Sequence, residues 1–236
     1  MPEGTRIYAI GDIHGCDDAL KALQREITRD AAPYPGTKLI VYLGDYVDRG
    51  PNSREVIERL MHKVPAGFAA RYVKGNHDAA VLDFLEDAEI YRLWRHVGAA
   101  ETLASYGVRP PLFAGREKLE QARRAFSEAF PRSHLDFLKS LELMVLIGEY
   151  AFVHAGIRPG VALEQQRADD LLWIRNEFLE WNAPHPKIVV HGHSPVPVPL
   201  IRHNRICVDT SAYLTGILSC AVLEGDACRF LQAQGH

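Results

Sequence analysis

The sequence lacks the features that mark secreted, membrane-bound and nucleic-acid-binding proteins. It has only four cysteines in 236 residues, and no two of them are spaced as CxxC. Its 27 basic and 30 acidic side chains leave a formal net charge of −3, so neither sign dominates. The longest strongly apolar stretch, residues 143–147, is far too short to cross a bilayer, and residues 1–10 contain no apolar run of signal-peptide length. We therefore expect a cytoplasmic protein with reduced thiols and with neither a nucleic acid nor a membrane as partner.

The composition is that of an ordinary globular protein. Hydrophobic residues make up 47% of the chain and charged residues 24%, which excludes disordered, collagen-like and coiled-coil proteins. The chain contains no internal repeat, no low-complexity tract and no linker rich in Gly, Ser or Pro. Its length is enough for one large domain with a full core. We expect residues 1–236 to form a single domain, and the oligomeric state stays open, with a monomer favoured.

A strand, a loop and a helix follow one another three times in the first 86 residues. Each predicted strand is a short apolar run, and each predicted helix is amphipathic. Such units favour neighbouring parallel strands that are covered by helices. The predicted strands span residues 6–10, 38–43 and 68–73, and the helices that follow them span 17–28, 53–62 and 79–86.

The rest of the chain divides into a helical part and a second group of strands. Residues 79–140 are predicted to be mainly helical and to pack outside the sheets as a cap. From residue 141 onward apolar and β-branched runs return, and a single helix over 169–179 interrupts them. The predicted strands of this second group span 141–147, 151–153, 188–190, 205–208 and 214–223.

The loops of the three repeated units carry side chains that bind hard metal ions. Loops that follow parallel strands lie at the same edge of a sheet, so these side chains are expected to meet. Two later histidines, His154 and His193, also follow apolar runs directly. The loop side chains are Asp12 and His14 in the first unit, Asp45, Asp48 and Arg49 in the second, and Asn76 and His77 in the third.

The combined side chains are carboxylates, imidazoles and an amide, without a thiolate. This set favours divalent ions such as Mn, Fe or Zn over a structural zinc site built from cysteines. It is too large for one catalytic ion with open positions, so two ions that share a bridging carboxylate fit better. Two metals about 3.5–4 Å apart can bind a phosphoryl group and generate hydroxide at neutral pH. The residues therefore predict metal-assisted phosphoester hydrolysis.

Three short blocks resemble the signature blocks of the phosphoprotein phosphatase family of metallophosphoesterases. They are residues 11–15 (GDIHG), 44–50 (GDYVDRG) and 75–78 (GNHD). Within the family the chain is most similar to bacterial and lambda-phage-like serine/threonine protein phosphatases, over about residues 6–223. The resemblance implies an α/β (α+β) metallophosphoesterase fold, with two packed mixed β-sheets flanked by helices and a dinuclear metal site at one edge. Residues 79–140, where the resemblance is weakest, would be a helical cap insertion.

The resemblance implies a metal ligand at six positions. Asp12 and His14 would bind the first ion, and Asp45 would bridge both ions. The ions are expected to be divalent, with manganese foremost in vitro and iron or zinc as alternatives. The competing interpretation of the loop Asp and Asn residues is that they cap the following helices. The ligands that would complete the second metal site are Asn76, His154 and His193.

The resemblance also implies the catalytic and phosphate-binding residues. His77 matches the family's general acid, which protonates the leaving oxygen, and Asp48 would hold and charge that imidazole. Arg49 would bind phosphoryl oxygens through its planar guanidinium group. Arg175, on a predicted amphipathic helix, resembles the second phosphate-binding arginine. The nucleophile implied is a hydroxide that bridges the two ions and attacks phosphorus directly.

Three functions are compatible with these residues. The first is a serine/threonine protein phosphatase that acts on phosphoproteins or small phosphoesters, with dual specificity left open. The second is a dinucleoside polyphosphate hydrolase of the diadenosine tetraphosphate type on the same fold. Symmetrical hydrolases of that type usually lack an Asp at the position of Asp48 and are longer in the middle, so we favour the protein phosphatase. A non-catalytic metal-binding scaffold is disfavoured, because the chain retains every ligand and the acid.

Several residues near the motifs receive supporting or structural roles. His191 would support the site without binding metal, and Asp209 would orient a loop. Cys16 opens a helix, whose dipole lowers a thiol pKa, so its oxidation could inhibit the enzyme. The favoured interpretation of Cys16, however, is a small buried side chain. The three tryptophans form no stacking stripe and are expected in the core: Trp94, Trp173 and Trp181.

Overall fold

Two mixed β-sheets form the centre of the molecule. The computed structural model describes residues 2–111 and 115–235, so residues 1 and 236 of the expected domain and 112–114 of the predicted cap lie outside it. The first sheet contains three parallel strands, and a C-terminal hairpin pairs antiparallel with the first of them. Its strands are, in spatial order, β10 (Ala227–Gln234), β9 (Ile217–Glu224), β1 (Thr5–Ile10), β2 (Thr37–Tyr42) and β3 (Ala69–Tyr72).

The second sheet is built in the same mixed way. Its three central strands are parallel, and one antiparallel strand pairs at each edge. This arrangement confirms the expected fold class of two mixed sheets flanked by helices. The strands are, in spatial order, β4 (Met144–Ile147), β5 (Tyr150–Val153), β6 (Ile188–His191), β8 (Arg205–Cys207) and β7 (Leu200–Ile201).

Alternating side chains of the first sheet separate two layers of the core. Ile7 and Ala9 of β1 and Val41 of β2 lie in one buried cluster with Val190 of the second sheet. Tyr8, on the opposite face of β1, belongs to the cluster beneath the helices. Because successive side chains of a strand point to opposite faces, the first sheet is covered on both sides, by the second sheet and by helices.

Each of the first three parallel strands leads through a short loop into a helix. These helices are α1 (Asp17–Ala31), α2 (Ser53–His62) and α3 (Asn76–Glu86). The helical spacing of Leu20, Leu23 and Ile27 places them on one buried face of α1. Each strand therefore ends at a loop that the following helix holds in place.

The described part of the predicted cap packs into the same core layer. Trp94 lies between Phe84 and Phe126, with ring centroids 5.2 and 6.4 Å away, and all three share a buried cluster with Tyr8. This segment thus extends the helical layer on the outer face of the first sheet. Its helices are α4 (Tyr91–Trp94), α5 (Ala99–Ser105), α6 (Arg116–Ala129) and α7 (Arg132–Ser140), with a 3₁₀ turn at Ala88–Ile90.

The single helix predicted over residues 169–179 is wrong, because the chain forms two short helices there. They are α8 (Ala168–Trp173) and α9 (Asn176–Leu179). Arg175 lies at the break with φ −132° and ψ −96°, outside the helical region. Ile174 and Phe178 are buried in one cluster. They are four residues apart, which is also the spacing of buried residues on a continuous helix. Periodicity alone therefore hides the interruption.

The C-terminal strands also differ from the prediction. The predicted strand over residues 214–223 begins instead as a short helix, α10 (Ala212–Thr215), which is followed by β9. β10, which was not predicted, has only one buried residue, Ala233, and forms a hairpin with β9. Such an edge strand is stabilised by its pairing more than by its own apolar pattern. None of the described helices is both long and apolar enough to span a membrane.

Candidate active site

The loops that follow five strands bring the predicted ligands together. The parallel strands β1, β2 and β3 supply three of these loops, and β5 and β6 of the second sheet supply the other two. The carboxyl ends of parallel strands are where sites in α/β sheets usually form. All six predicted ligands are buried: Asp12, His14, Asp45, Asn76, His154 and His193.

The backbone is strained where these side chains converge. Positive φ angles occur at His14 (45°), Asp45 (51°), Asp48 (72°), Arg49 (69°) and His193 (61°). In the described ranges only one other non-glycine residue has a positive φ. This conformation costs roughly 1–3 kcal/mol for a residue with a side chain, and it is typical of functional sites. The rest of the fold therefore stabilises conformations that aim these side chains at one point.

Two glycines allow the carboxylates to lie directly against backbone. A Cβ atom on Gly75 would lie 2.1 Å from Asp45 Oδ1, and one on Gly192 would lie 1.9 Å from Asp12 Oδ1. The backbone N–H of His193 donates to the Asp12 carboxylate at 3.0 Å. Asp12 thus connects the loop after β1 with the loop after β6, and no larger residue fits at these two positions.

Asp45 lies between two clusters of potential ligands. Its Oδ2 atom is 3.5 Å from His14 Nε2 and 3.7 Å from His77 Nε2. Its Oδ1 atom is 3.4 Å from His154 Nε2, in a second cluster that includes His193. The first cluster is His14, Asp45 and His77 and the second is Asp45, His154 and His193; in each the potential ligand atoms lie within 4.8 Å of one another, and Asp12 belongs to neither of these clusters of described residues. One oxygen of the same carboxylate therefore faces each cluster.

The contacts in the second cluster bring three acceptor atoms together, and His193 Nδ1 lies 3.2 Å from one of them, His154 Nε2. His154 Nδ1 donates to the carbonyl of Leu43 at 2.9 Å, so its Nε2 atom carries a lone pair. That lone pair faces Asn76 Oδ1 at 2.9 Å and Asp45 Oδ1. His193 Nε2 is also buried and has no hydrogen-bond partner. Since facing lone pairs repel one another, this arrangement fits a cation at their centre.

In the first cluster, too, an imidazole lone pair faces the Asp45 carboxylate. His14 Nδ1 donates to the carbonyl of Val47 at 2.9 Å, which leaves its Nε2 lone pair facing Asp45. Imidazole, carboxylate and amide donors suit a divalent transition ion. The residues present therefore fit two metal ions, and their donor chemistry does not select one metal.

Burial controls the protonation of these groups. It lowers the pKa of His14 to about 3 and that of His193 to about 2, and a neutral imidazole is the form that binds a metal. Burial opposes ionisation of Asp45, but the surrounding imidazoles outweigh it and lower the pKa of this carboxyl. For Asp12, burial and the neighbouring carboxylates raise the pKa well above its ordinary value. Divalent cations at this point would stabilise both carboxylates in their ionised form.

His77 of the first cluster forms a buried hydrogen-bonded pair with Asp48. His77 Nδ1 donates to Asp48 Oδ2 at 2.6 Å, which leaves Nε2 on the side of Asp45. Although burial lowers it, the carboxylates of Asp45 and Asp48 raise the pKa of His77 above its ordinary value. A histidine held in this way can carry a proton on Nε2, as a general acid requires.

Asp48 is itself held by two residues that sequence reasoning missed. The Trp94 indole N–H donates to Asp48 Oδ2 at 2.6 Å, and the Thr102 hydroxyl donates to Oδ1 at 2.5 Å. Both residues belong to the helical segment and lie 46 and 54 positions after Asp48 in the sequence. Trp94 is buried as expected, but its polar edge serves the site. A local motif could not have revealed this contact, since only packing brings α4 and α5 to Asp48.

The two arginines differ in burial and in the residues near the ligand clusters that they contact. Arg49 is half-buried, and its guanidinium group stacks over Tyr213 with 4.5 Å between the guanidinium carbon and the ring centroid. Tyr213 in turn lies edge-on to His14, with ring centroids 5.3 Å apart. Arg175 is exposed and donates to the Ser194 hydroxyl at 3.3 Å, one residue beyond His193. The break between α8 and α9, rather than a continuous helix, brings Arg175 beside this loop.

Three further residues near the motifs, His191, Asp209 and Cys16, were given supporting or structural roles from the sequence. His191 is buried, its Nε2 has no partner, and it belongs to neither of the two ligand clusters in the described chain. The Asp209 carboxylate accepts the backbone N–H of Ser211, as a loop-orienting residue does. For Cys16 the structure supports the favoured structural interpretation over the redox role: the side chain is half-buried, and burial raises the pKa of its thiol to about 11, so desolvation outweighs the helix dipole.

These two clusters around one carboxylate indicate the class of metal-dependent phosphoesterases. The chain belongs to the calcineurin-like phosphoesterase family, whose sequence profile matches residues 5–216.

Three known proteins illustrate what the chain is similar to. The bis(5'-nucleosyl)-tetraphosphatase PrpE [asymmetrical] of Halalkalibacterium halodurans is 26% identical over 233 residues, which cover 89% of this chain and 87% of that protein. The crystal structure of a candidate diadenosine tetraphosphatase superposes with a TM-score of 0.65 at 22% identity, covering 98% of this chain and 94% of the other. The structure of a cold-active protein tyrosine phosphatase also superposes with a TM-score of 0.65, at 18% identity, covering 99% of this chain and 80% of the other.

The serine/threonine protein phosphatase favoured from the sequence is therefore wrong as the main assignment. The two structures share the fold alone, whereas the relative that matches along most of its length is named a tetraphosphatase. The preference depended on Asp48. The structure explains why Asp48 does not discriminate: its carboxylate is buried and contacts His77, Trp94 and Thr102. A carboxylate that is buried against these three side chains does not by itself select between a phosphoester and a phosphoanhydride substrate.

Proposed function

We propose that this protein hydrolyses dinucleoside tetraphosphates, with the asymmetrical cleavage named for its relative from Halalkalibacterium halodurans. The similarity along 89% of the chain carries the choice of substrate. The two ligand clusters that share Asp45 support the chemistry, because a phosphoanhydride needs the same stabilisation of phosphoryl charge as a phosphoester.

In this proposal the six buried ligands hold two divalent ions. Asp12, His14 and Asp45 would hold one ion, and Asp45 would share the other with three further residues. When bound, the ions would supply Lewis acidity and a nucleophilic water at neutral pH. Manganese is the metal to test first, with iron and zinc as alternatives. The three further ligands are Asn76, His154 and His193.

The protein's own side chains would manage the proton and the substrate charge. His77 would give its Nε2 proton to the departing phosphate oxygen, and Asp48 would keep the opposite nitrogen protonated and the ring oriented. Arg49 and Arg175 would bind phosphate oxygens through their planar forks. The stacking of Arg49 on Tyr213 limits the positions that its guanidinium group can take.

We also propose that the chain acts as one domain. The helices of the described cap share a buried cluster with the first sheet, and they supply Trp94 and Thr102 to Asp48. A separately folded cap would have its own core.

The test compares two substrates on the same metal-stripped and manganese-restored protein. We expect faster hydrolysis of diadenosine tetraphosphate than of a phosphoserine or phosphothreonine peptide, and loss of activity with a chelator. Chromatography of the products identifies the bond that is cleaved, since asymmetrical cleavage yields ATP and AMP whereas symmetrical cleavage yields two ADP. Asp45→Asn is the inactive control, because it removes the charge that both clusters share. Faster turnover of the peptide would refute the proposal, and two ADP would refute its asymmetry.

A further inference from the structure

Trp173 is an exposed aromatic side chain beside the candidate metal centre. It ends α8, and 54% of its surface is exposed although Leu171 and Leu172 of the same helix are buried. Its ring meets the ring of His193 edge-on, with centroids 6.2 Å apart and an interplanar angle of 87°. The expectation that Trp173 lies in the core is therefore wrong. A large apolar ring that stays exposed next to a potential metal ligand is available to a bound molecule.

A cavity of about 420 Å³ opens next to Trp173. Such a volume lies within the range of about 300–1,000 Å³ that is usual for small-molecule sites. Arg175, Asn176 and Glu177 line it together with Trp173, and the ion pair of Arg158 with Asp170 and the Asp169 carboxylate complete its polar lining. This combination offers a stacking surface, a phosphate-binding group and partners for hydroxyl groups.

The wall of this cavity is held in place independently of any ligand. Arg158 forms a two-point ion pair with Asp170 of α8, at 2.9 and 2.5 Å. The backbone N–H of Arg158 also donates to the Gln166 side chain at 2.7 Å. Helix α8, which carries Trp173, is thus fixed against the loop after β5.

Arg175 connects the cavity with the metal ligands. Its guanidinium group lines the cavity and also donates to Ser194, the residue after His193. A polyphosphate chain bound at the ligand clusters can therefore also contact Arg175. An arginine that suits phosphate oxygens and a neutral ring that suits a base thus line the same cavity, as a nucleotide requires.

We propose that Trp173 is the stacking platform for one nucleobase of the substrate, with Arg175 binding the phosphate chain between the base and the metal centre. This proposal rests on the proposed function, since it names the part of the site that recognises a nucleoside rather than a bare phosphate. Asn176 and Glu177 line the same cavity, and their side-chain oxygens can accept hydrogen bonds from the ribose hydroxyl groups. A base stacked on an aromatic ring binds more tightly by an amount that corresponds to roughly 5- to 100-fold in affinity.

The kinetic test uses Trp173→Ala and Trp173→Phe on the manganese-loaded enzyme with diadenosine tetraphosphate. We expect the KM of Trp173→Ala to rise about tenfold with little change in kcat, and the KM of Trp173→Phe to stay near that of the wild type, because phenylalanine still stacks. Trp181→Ala is the matched control, since it removes another partly exposed tryptophan. Unchanged KM in Trp173→Ala, or equal losses in the Ala and Phe variants, would refute the platform.

A binding test separates this proposal from the proposed function. Tryptophan emission of the metal-loaded protein is recorded during titration with ATP and, separately, with base-free inorganic tripolyphosphate. We expect ATP, but not tripolyphosphate, to quench an emission component that is absent from Trp173→Phe and present in Trp181→Phe. Quenching by ATP in a protein that does not hydrolyse the dinucleotide would support the platform and refute the proposed function. Hydrolysis without this quenching component would refute the platform and leave the proposed function standing.

Discussion

A single side chain, Asp45, connects the two halves of the candidate centre. Its two oxygens face different clusters, and its own backbone N–H is held by the Asp78 carboxylate at 2.9 Å. Asp78 also accepts the N–H groups of Tyr46 and Gly75, so one buried carboxylate holds two of the motif loops together. Asp78 was part of the third motif in the sequence, but its role as the support of Asp45 became visible only in the structure.

At the residue scale, His77→Asn should separate metal binding from proton transfer. We expect the variant to retain its metal ions, and its rate on alkyl phosphates to fall about 10²–10⁴-fold, because an alkoxide needs a proton to leave. The loss on diadenosine tetraphosphate should be smaller, since a phosphate leaving group is less basic. Steady-state kinetics on both substrates, with metal content by mass spectrometry, measure this. An unchanged rate on alkyl phosphates would remove His77 from the mechanism.

At the scale of elements, α4 and α5 complete the site from the outer layer. Trp94→Phe removes the indole N–H from the Asp48 carboxylate while it keeps an aromatic ring in the core. We expect kcat on alkyl phosphates to fall about tenfold, with KM and metal content unchanged and a smaller effect on the dinucleotide. Trp181→Phe makes the same chemical change at a partly exposed position and is the control.

The comparison of the two substrates distinguishes positioning from a general loss of structure. A partly unfolded enzyme would lose both activities equally, and its metal content would fall with them. Thr102→Val, which removes the second donor that the helical segment supplies to Asp48, should reproduce the selective loss. Equal losses on both substrates in the two variants would contradict a positioning role.

The end of α1 is attached to the first sheet through Asp30. Its carboxylate accepts hydrogen bonds from Tyr8 at 2.8 Å and from Arg229 at 2.7 Å, on strands β1 and β10. Although burial raises it, these partners lower the pKa of Asp30 overall. We expect Asp30→Asn to lower the free energy of unfolding at pH 7 by about 1–3 kcal/mol, measured by urea denaturation. Asp136→Asn, at an exposed ion pair, is the control.

The pH dependence of this effect follows from the direction of the shift. Because the pKa of Asp30 is lower in the folded protein, its stabilisation is fully present above the unfolded pKa of about 3.9. It is lost as the pH falls through the folded pKa. The wild type and Asp30→Asn should therefore differ at neutral pH and converge in acid. A difference that stays constant down to low pH would contradict the ionised contact.

At the scale of the whole molecule, the candidate centre joins the two sheets with groups that repel one another unless a cation is bound. Removal of metal should therefore lower the melting temperature as well as abolish activity. A ligand at 100 times its Kd stabilises a protein by about 2.7 kcal/mol, which corresponds to roughly 5–10 °C for a chain of this size. Calorimetry before and after chelation measures the shift, and manganese should restore it. An identical melting temperature with and without metal would contradict this prediction.

Much of the fold and the candidate ligands could be predicted from the sequence. The three strand-loop-helix units depend on local periodicity and on motifs within a few residues, so β1–β3 and α1–α3 lie close to their predicted positions. The convergence of the Asp12, Asp45 and Asn76 loops follows from the geometry of parallel strands. The ligand set that the family resemblance implied stays a prediction; the structure brings acceptor atoms of three of its members, Asn76, His154 and Asp45, face to face.

Other features depend on residues that are distant in the sequence. The backbone break at Arg175 does not disturb the apolar spacing of its helix pattern, and the pairing of β10 depends on its partner β9. The contact of Trp94 with Asp48 exists only because α4 packs beneath the loop after β2. The sequence by itself determined the type of site, since the kinds of ligands and their local spacing dictate metal-assisted phosphoryl chemistry. Only the tertiary structure decided which side chains support that site and which aromatic ring stays exposed beside it, because those outcomes depend on long-range packing.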